Sequence, residues 1–187
     1  MPPKPWKTLS SREVYKNPWT RVREDVAEMP NGKTTLYGVI ECGEAVGVLP
    51  FIDDDHVVLV RQYRYVFDEA HRWEMPTGGV KPDEPLEAAA RRECREEVGY
   101  DAATLQHVST YFSSKSIVQE ICHLYIGRGL TQVRVVPDET EFLEVAVFPF
   151  DEVYQMVIDS EIRDSMTVIA VLHAARLRNE TVLLKQD

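Results

Sequence analysis

Apolar and polar residues alternate along Thr20 to Met29 and again along Thr34 to Glu41, and Pro30-Asn31-Gly32 between them is a turn signal, so the pattern predicts an N-terminal β-hairpin. Ala45 to Phe51 is a short apolar run and His56 to Arg64 resumes a β-rich pattern after Asp53-Asp54-Asp55; these two segments are expected to form a second antiparallel pair. Trp73 to Pro76 reads as a brief extended segment, with a loop beginning at Gly78-Gly79. Leu86 to Val98 lacks Gly and Pro, is rich in Ala, Glu and Arg, and is followed by Gly99 where a C-terminal cap belongs, which predicts a helix. Further strands are expected at His107 to Phe112, Ile117 to Ile126 and Glu144 to Val147, with loops at Gly127-Arg128-Gly129 and Pro137 to Glu141. Asp151 to Ile158 and Ser165 to Leu177 read as closing helices, the second with Val168, Val171, Leu172 and Ala175 as its core stripe. The layout is a mixed or antiparallel β core with helices outside it, interrupted by one loop-helix-loop.

The Leu86 to Val98 helix carries a contradiction. At about 100° per residue, Leu86, Ala89, Ala90 and Cys94 share the side that faces the core, and Glu93 and Glu97 fall within about 20° of Leu86, with Glu96 at the edge. Arg91, Arg92 and Arg95 take the opposite side with Glu87. Clustered carboxylates turned inward are unfavourable unless a cation or strong donors neutralise them. Two readings follow: the glutamates pair with neighbouring arginines, or they hold a hard divalent ion. An oxygen-only donor set suits Mg²⁺, with Mn²⁺ as a substitute, and excludes a His- or Cys-based zinc site.

Composition narrows the partners. The 187 residues suit one domain or a domain with a modest extension, and 44% hydrophobic with 28% charged residues describes an ordinary globular chain. With 21 basic against 31 acidic residues, the net charge of -10 opposes binding of a nucleic-acid polymer, while a small anionic substrate needs cations between itself and the protein. No apolar run approaches a membrane span and the start, MPPKPWKTLS, carries no apolar stretch, so a cytoplasmic location is expected. Cys42, Cys94 and Cys122 show no Cys-x-x-Cys spacing and are expected as buried, reduced thiols.

From Gly78 to Tyr100 the chain reads GGVKPDEPLEAAARRECREEVGY, which resembles the Nudix box G-x5-E-x7-R-E-U-x-E-E-x-G-U, where U is a bulky aliphatic residue. Gly78, Glu84, Arg92, Glu93, Glu96, Glu97 and Gly99 fill the fixed positions; Cys94 and Tyr100 replace aliphatic residues. RQYRY (Arg61 to Tyr65) and WEMPTGG (Trp73 to Gly79) are similar to the ADP-ribose pyrophosphatase and nucleotide-sugar hydrolase branch of that family. A proline that ADP-ribose enzymes carry beyond the box is missing from YFSSKSIVQE (Tyr111 to Glu120).

The resemblance implies an α+β fold, the α/β/α Nudix sandwich with a mixed sheet, in which residues 1–42 form a dimer-forming β extension and 43–187 the hydrolase domain. It implies that Glu93, Glu96, Glu97 and the carbonyl of Thr77 bind metal, that Glu84 and Arg92 brace the loop and helix, and that Arg64 meets substrate phosphate with Arg61 beside it and Glu74 near the metals. DETEFLEV (Asp138 to Val145) is similar to the loop that supplies the catalytic base, Glu139 or Glu141. Trp19 and Tyr37 are candidates for base stacking across a homodimer. The expected reaction is Mg²⁺-dependent hydrolysis of a diphosphate in ADP-ribose or a nucleotide sugar. The alternatives are hydrolysis of (deoxy)nucleoside triphosphates or dinucleoside polyphosphates, and a Nudix-fold sensor that binds nucleotide without cleaving it.

Overall fold

The structure, a computed structural model, describes residues 4–134 and 142–183. The chain divides into two compact units, Met1–Gly43 with Phe112–Ile121, and Glu44–Tyr111 with Cys122–Asp187.

The first unit is a meander. β2 (Arg21–Glu28) and the first half of β3 (Thr34–Pro50) form the expected antiparallel hairpin, in register from Arg21↔Glu41 to Glu28↔Thr34. Gly32, at φ +80°, makes the turn possible, its N–H donating to the Met29 carbonyl at 2.9 Å. A strand that the pattern does not announce, β1 (Lys7–Lys16), pairs antiparallel with β2. Register shifts between Thr8 and Ser10 and between Glu13 and Tyr15 interrupt its alternation, so no period of two survives in KTLSSREVYK.

Among its described residues the second unit carries strands of two sheets and three α-helices. The end of β3 pairs with β6 (Thr77–Gly79), so a short strand stands where a loop was expected to begin. β8 (Val118–Gln132) lies between β3 and β7 (Tyr100–Phe112). β4 (His56–Arg64) is central in a separate sheet, antiparallel to β5 (Glu69–Glu74) and to β9 (Glu144–Pro149). The expected pairing of Ala45 to Phe51 with His56 to Arg64 is therefore corrected: the two strands share one bridge, Phe51↔Val57, and diverge. Burial gives the reason. Val46, Val48, Leu49, Phe51 and Val57 to Val60 are all buried, because both faces of each strand are covered. Leu49, Phe51, Val57 and Leu59 enter one core with α2 (Phe150–Ile158) and α3 (Ser165–Leu183), while Val46, Val48, Val58 and Val60 enter another with α1 (Leu86–Val98). Helices on both sides of the strands make the fold α+β, with a mixed sheet between layers.

Two further expectations are revised. Gly127-Arg128-Gly129 lies inside β8, not in a loop: a Cβ at Gly127 would stand 2.9 Å from a Val48 methyl, and Gly129 has φ +65°. These glycines serve close strand approach and a local irregularity. On α3 the buried residues are Met166, Thr167, Ala170, Val171 and Ala174, whereas Leu172 is 43% exposed. Of the expected stripe, Val171 is buried and Val168 and Ala175 pack against the core, while Leu172 turns outward. Among the described residues no helix is long and apolar enough to cross a membrane.

Candidate active site

α1 has the bounds expected from sequence and ends at Gly99, whose φ of +75° directs its N–H back to the Arg95 carbonyl at 3.1 Å. Its buried face contains Ala89, Ala90, Cys94 and Val98, and with them Glu93 and Glu97, at 8% and 7% exposure. Glu96 is exposed. Gly78 makes room for this arrangement, since a Cβ there would overlap the Glu93 carboxylate. The Thr77 N–H donates to Glu97 Oε2 at 3.1 Å, tying the loop to the helix.

Arg92 is the brace. Its Nε and one terminal nitrogen donate to the two oxygens of Glu84 at 2.8 and 2.9 Å; its other contacts are Glu93 at 2.5 Å, Glu96 at 3.0 Å and the Gly79 carbonyl at 2.9 Å. The helical count placed Arg92 on the solvent side, but its side chain is only 17% exposed. That count gives the direction of Cβ, whereas a long side chain reaches around the helix. Donation from Arg92, with the Lys81 amide, holds the Glu84 carboxyl down at about 2, and Glu84 in turn raises the arginine's own pKa. Burial pushes the Cys94 thiol up to about 12, which makes it an inert core residue. Cys122 is also buried, but Cys42 is exposed, contrary to expectation, on the meander strand β3 where little covers it.

In the second sheet Arg64 and Glu74 form an ion pair at 2.6 Å. Burial raises the Glu74 carboxyl above its ordinary value, with Arg64 opposing the rise. Arg61 pairs with Glu144 at 2.7 Å and lies 4.7 Å from the centroid of the Trp73 ring. Trp19 and Tyr37 belong to the first unit. Trp19 is 79% exposed, while the Tyr37 hydroxyl donates to the Ser116 carbonyl at 2.6 Å and its ring meets Trp6 edge-on. Glu139 and Glu141 lie outside the described residues.

The donor set of Glu93, Glu96, Glu97 and the Thr77 carbonyl is all oxygen, with two of the carboxylates buried side by side, and that chemistry fits a hard dication. The expected three-carboxylate cluster is nevertheless not gathered: among the described residues no three acidic, histidine or cysteine side chains converge as an ion site. Arg92 draws Glu93 and Glu96 to itself and the Thr77 amide takes Glu97, so both sequence readings, arginine pairing and metal ligation, draw on the same side chains. One contact escaped the sequence reading altogether. Thr167 accepts the Met75 N–H at 3.0 Å, between Glu74 and Thr77. The available signal was Asp164, three residues earlier, in the position of a helix cap.

A glycine-led loop is thus braced against a helix that buries its own glutamates. Residues 43–167 match the family model described as NUDIX domain, and residues 6–40 match the nucleoside diphosphate sugar hydrolase N-terminal domain. The chain belongs to the Nudix family of pyrophosphohydrolases. It is 30% identical over 167 residues to a methanol dehydrogenase activator of Bacillus methanolicus, covering 88% of this chain and 90% of that one. It is 27% identical, at the same coverage, to an ADP-ribose pyrophosphatase of Bacillus subtilis. A GDP-mannose pyrophosphatase of Klebsiella pneumoniae is 35% identical over 121 residues, 60% of this chain and 61% of the relative. The crystal structure of an ADP compounds hydrolase superposes with a TM-score of 0.85 at 23% identity, over 97% of this chain and 98% of that one, which shows the shared fold.

Proposed function

We propose that the protein hydrolyses the diphosphate linkage of ADP-ribose or a nucleotide sugar, releasing a nucleoside monophosphate and a sugar phosphate, with Mg²⁺ as cofactor and Mn²⁺ as a substitute. The observation that carries the reading is the pair of buried carboxylates, Glu93 against Gly78 and Glu97 accepting the Thr77 amide. The match of residues 6–40 to a nucleoside diphosphate sugar hydrolase module, and relatives named for ADP-ribose and GDP-mannose, favour this substrate class over triphosphates.

Glu93, Glu96, Glu97 and the Thr77 carbonyl would hold the divalent ion, which when bound would supply positive charge against the diphosphate and acidify the attacking water. Glu139, with Glu141 as the alternative, takes the proton from that water. Arg64, ion-paired with Glu74, steadies the departing phosphate, and Arg61 stands three residues earlier on the same strand. Glu84 and Arg92 keep the loop and helix in register. In this reading residues 1–42 are a dimerisation extension in which Trp19 and Tyr37 stack on the base, and 43–187 the hydrolase domain. Three cysteines with no Cys-x-x-Cys spacing suit a reducing, cytoplasmic setting.

The test is a panel of ADP-ribose, GDP-mannose, UDP-glucose, NADH, a dinucleoside polyphosphate and deoxynucleoside triphosphates, each with Mg²⁺ and read for phosphate products. Glu97→Gln is expected to lower kcat on the preferred diphosphate by about a hundredfold or more while the circular dichroism spectrum is retained. Wild-type turnover in that variant would overturn the assignment.

A further inference from the structure

The segment Glu74-Met75-Pro76-Thr77 connects β5 to β6 and carries two site residues only three positions apart. Glu74 pairs with Arg64, and the Thr77 amide holds Glu97. Pro76 has no N–H, so the Met75 amide is the one main-chain donor between them. Its partner lies 92 positions along the chain: Met75 N–H donates to Thr167 Oγ1 at 3.0 Å. Thr167 is fully buried.

The hydroxyl is not free to turn. Its proton is donated to Asp164 Oδ2 at 2.8 Å, and the same oxygen accepts the Thr167 amide at 2.8 Å, while the Asp164 carbonyl accepts Val168 N–H at 2.9 Å. Asp164 is thus the N-cap of α3, and it orients the threonine so that an oxygen lone pair faces Met75. A carboxylate that accepts the hydroxyl proton also strengthens what the hydroxyl oxygen can accept. On the other side of the segment the Pro76 carbonyl accepts Val48 N–H at 3.1 Å. The start of one helix and a central strand therefore clamp the peptide groups around Pro76 from both directions.

We infer that Thr167, fixed by Asp164, is a positioning residue that sets the Glu74 to Thr77 segment and through it the Thr77 hydrogen bond to the Glu97 carboxylate. The consequence for turnover rests on the function proposed above; the consequence for the Thr77 amide does not.

Thr167→Val keeps the shape and removes the two hydroxyl hydrogen bonds; Thr167→Ser keeps them; Val153→Ala removes core volume from α2 and serves as a control for lowered stability alone. Amide hydrogen exchange is read at Thr77 relative to β4 amides, alongside kcat and KM for the diphosphate that the wild type prefers. In Thr167→Val, Thr77 exchange is expected to rise by about tenfold relative to β4. In the same variant kcat falls by about tenfold or more with KM within about threefold. Thr167→Ser restores both, and Val153→Ala moves neither. Should Thr167→Val fail to fold, Asp164→Asn, which keeps a cap acceptor and loses the charge, shifts both readouts in the same direction by a smaller factor. Thr77 exchange that rises only in step with the Val153→Ala control, or an unaltered kcat beside a loosened Thr77, overturns the inference. A wild-type chain that cleaves none of the diphosphates refutes the proposed function instead, and the exchange comparison still decides the positioning role.

Discussion

Arg92 commits all five of its guanidinium donors, two to Glu84 and one each to Glu93, Glu96 and the Gly79 carbonyl. A lysine has three donors and no planar fork, so this node requires arginine. Its effect on Glu84 gives stability a defined pH dependence. The folded carboxyl sits at about 2 against an ordinary 4.5, with Arg92 donation as the first cause. The unfolded chain therefore takes up its proton at a higher pH than the folded one. The stabilisation is complete above about 4.5 and is lost as pH falls toward 2. Glu84→Gln is expected to cost about 2 kcal/mol at neutral pH, allowing for partial solvent screening, and to lose less on acidification. Urea midpoints at pH 3, 4 and 6 would show the wild type declining more steeply than the variant; parallel declines would exclude the pair as the source. The residues of the box were legible because their chemistry is set by spacing along one loop and one helix. Thr167 was not, since its partner is 92 positions away and a buried threonine inside an apolar stripe looks like any other helix position.

Among the elements, α1 was read with its true limits because its signals are local: an uninterrupted run of helix formers closed by Gly99 in the left-handed region. Gly99→Ala places a Cβ in that conformation and is expected to cost about 1 kcal/mol, lowering Tm by about 2–4 °C with kcat at 25 °C retained. A calorimetric scan checks it, and an unchanged Tm would mean that the cap is not what ends the helix. Strands were harder. β1 hides its pairing behind two bulges, and β8 runs through Gly127 and Gly129, whose punctuation usually marks a loop. The continuous apolar run of β4, Val57 to Val60, gave the strand but not its sheet, because a segment buried on both faces has no alternation from which to choose a neighbour.

At the scale of the molecule, the first unit presents apolar side chains to solvent: Trp6, Leu9, Val14, Tyr15, Trp19 and Leu36 are all exposed, and every residue of β1 is. Surfaces of that kind mark association sites, which is the physical support for the proposed homodimer. Sedimentation equilibrium is expected to give twice the chain mass, and the double substitution Leu9→Glu with Tyr15→Glu to give the single mass; a wild-type monomer at micromolar concentration would remove the intersubunit role of Trp19 and Tyr37. β3 has a different consequence. It runs unbroken from Thr34 to Pro50, pairing with β2 along its first half and β6 along its last, so the junction between the two matched modules falls inside a single strand. Side chains on a strand change face at every step. Between Glu41 and Ala45 the left-handed Gly43, at φ +86°, interrupts that alternation, so any chimera that grafts a foreign front half onto residues 43–187 must carry this glycine to keep the pairings with β2 and with β6 each in their own register.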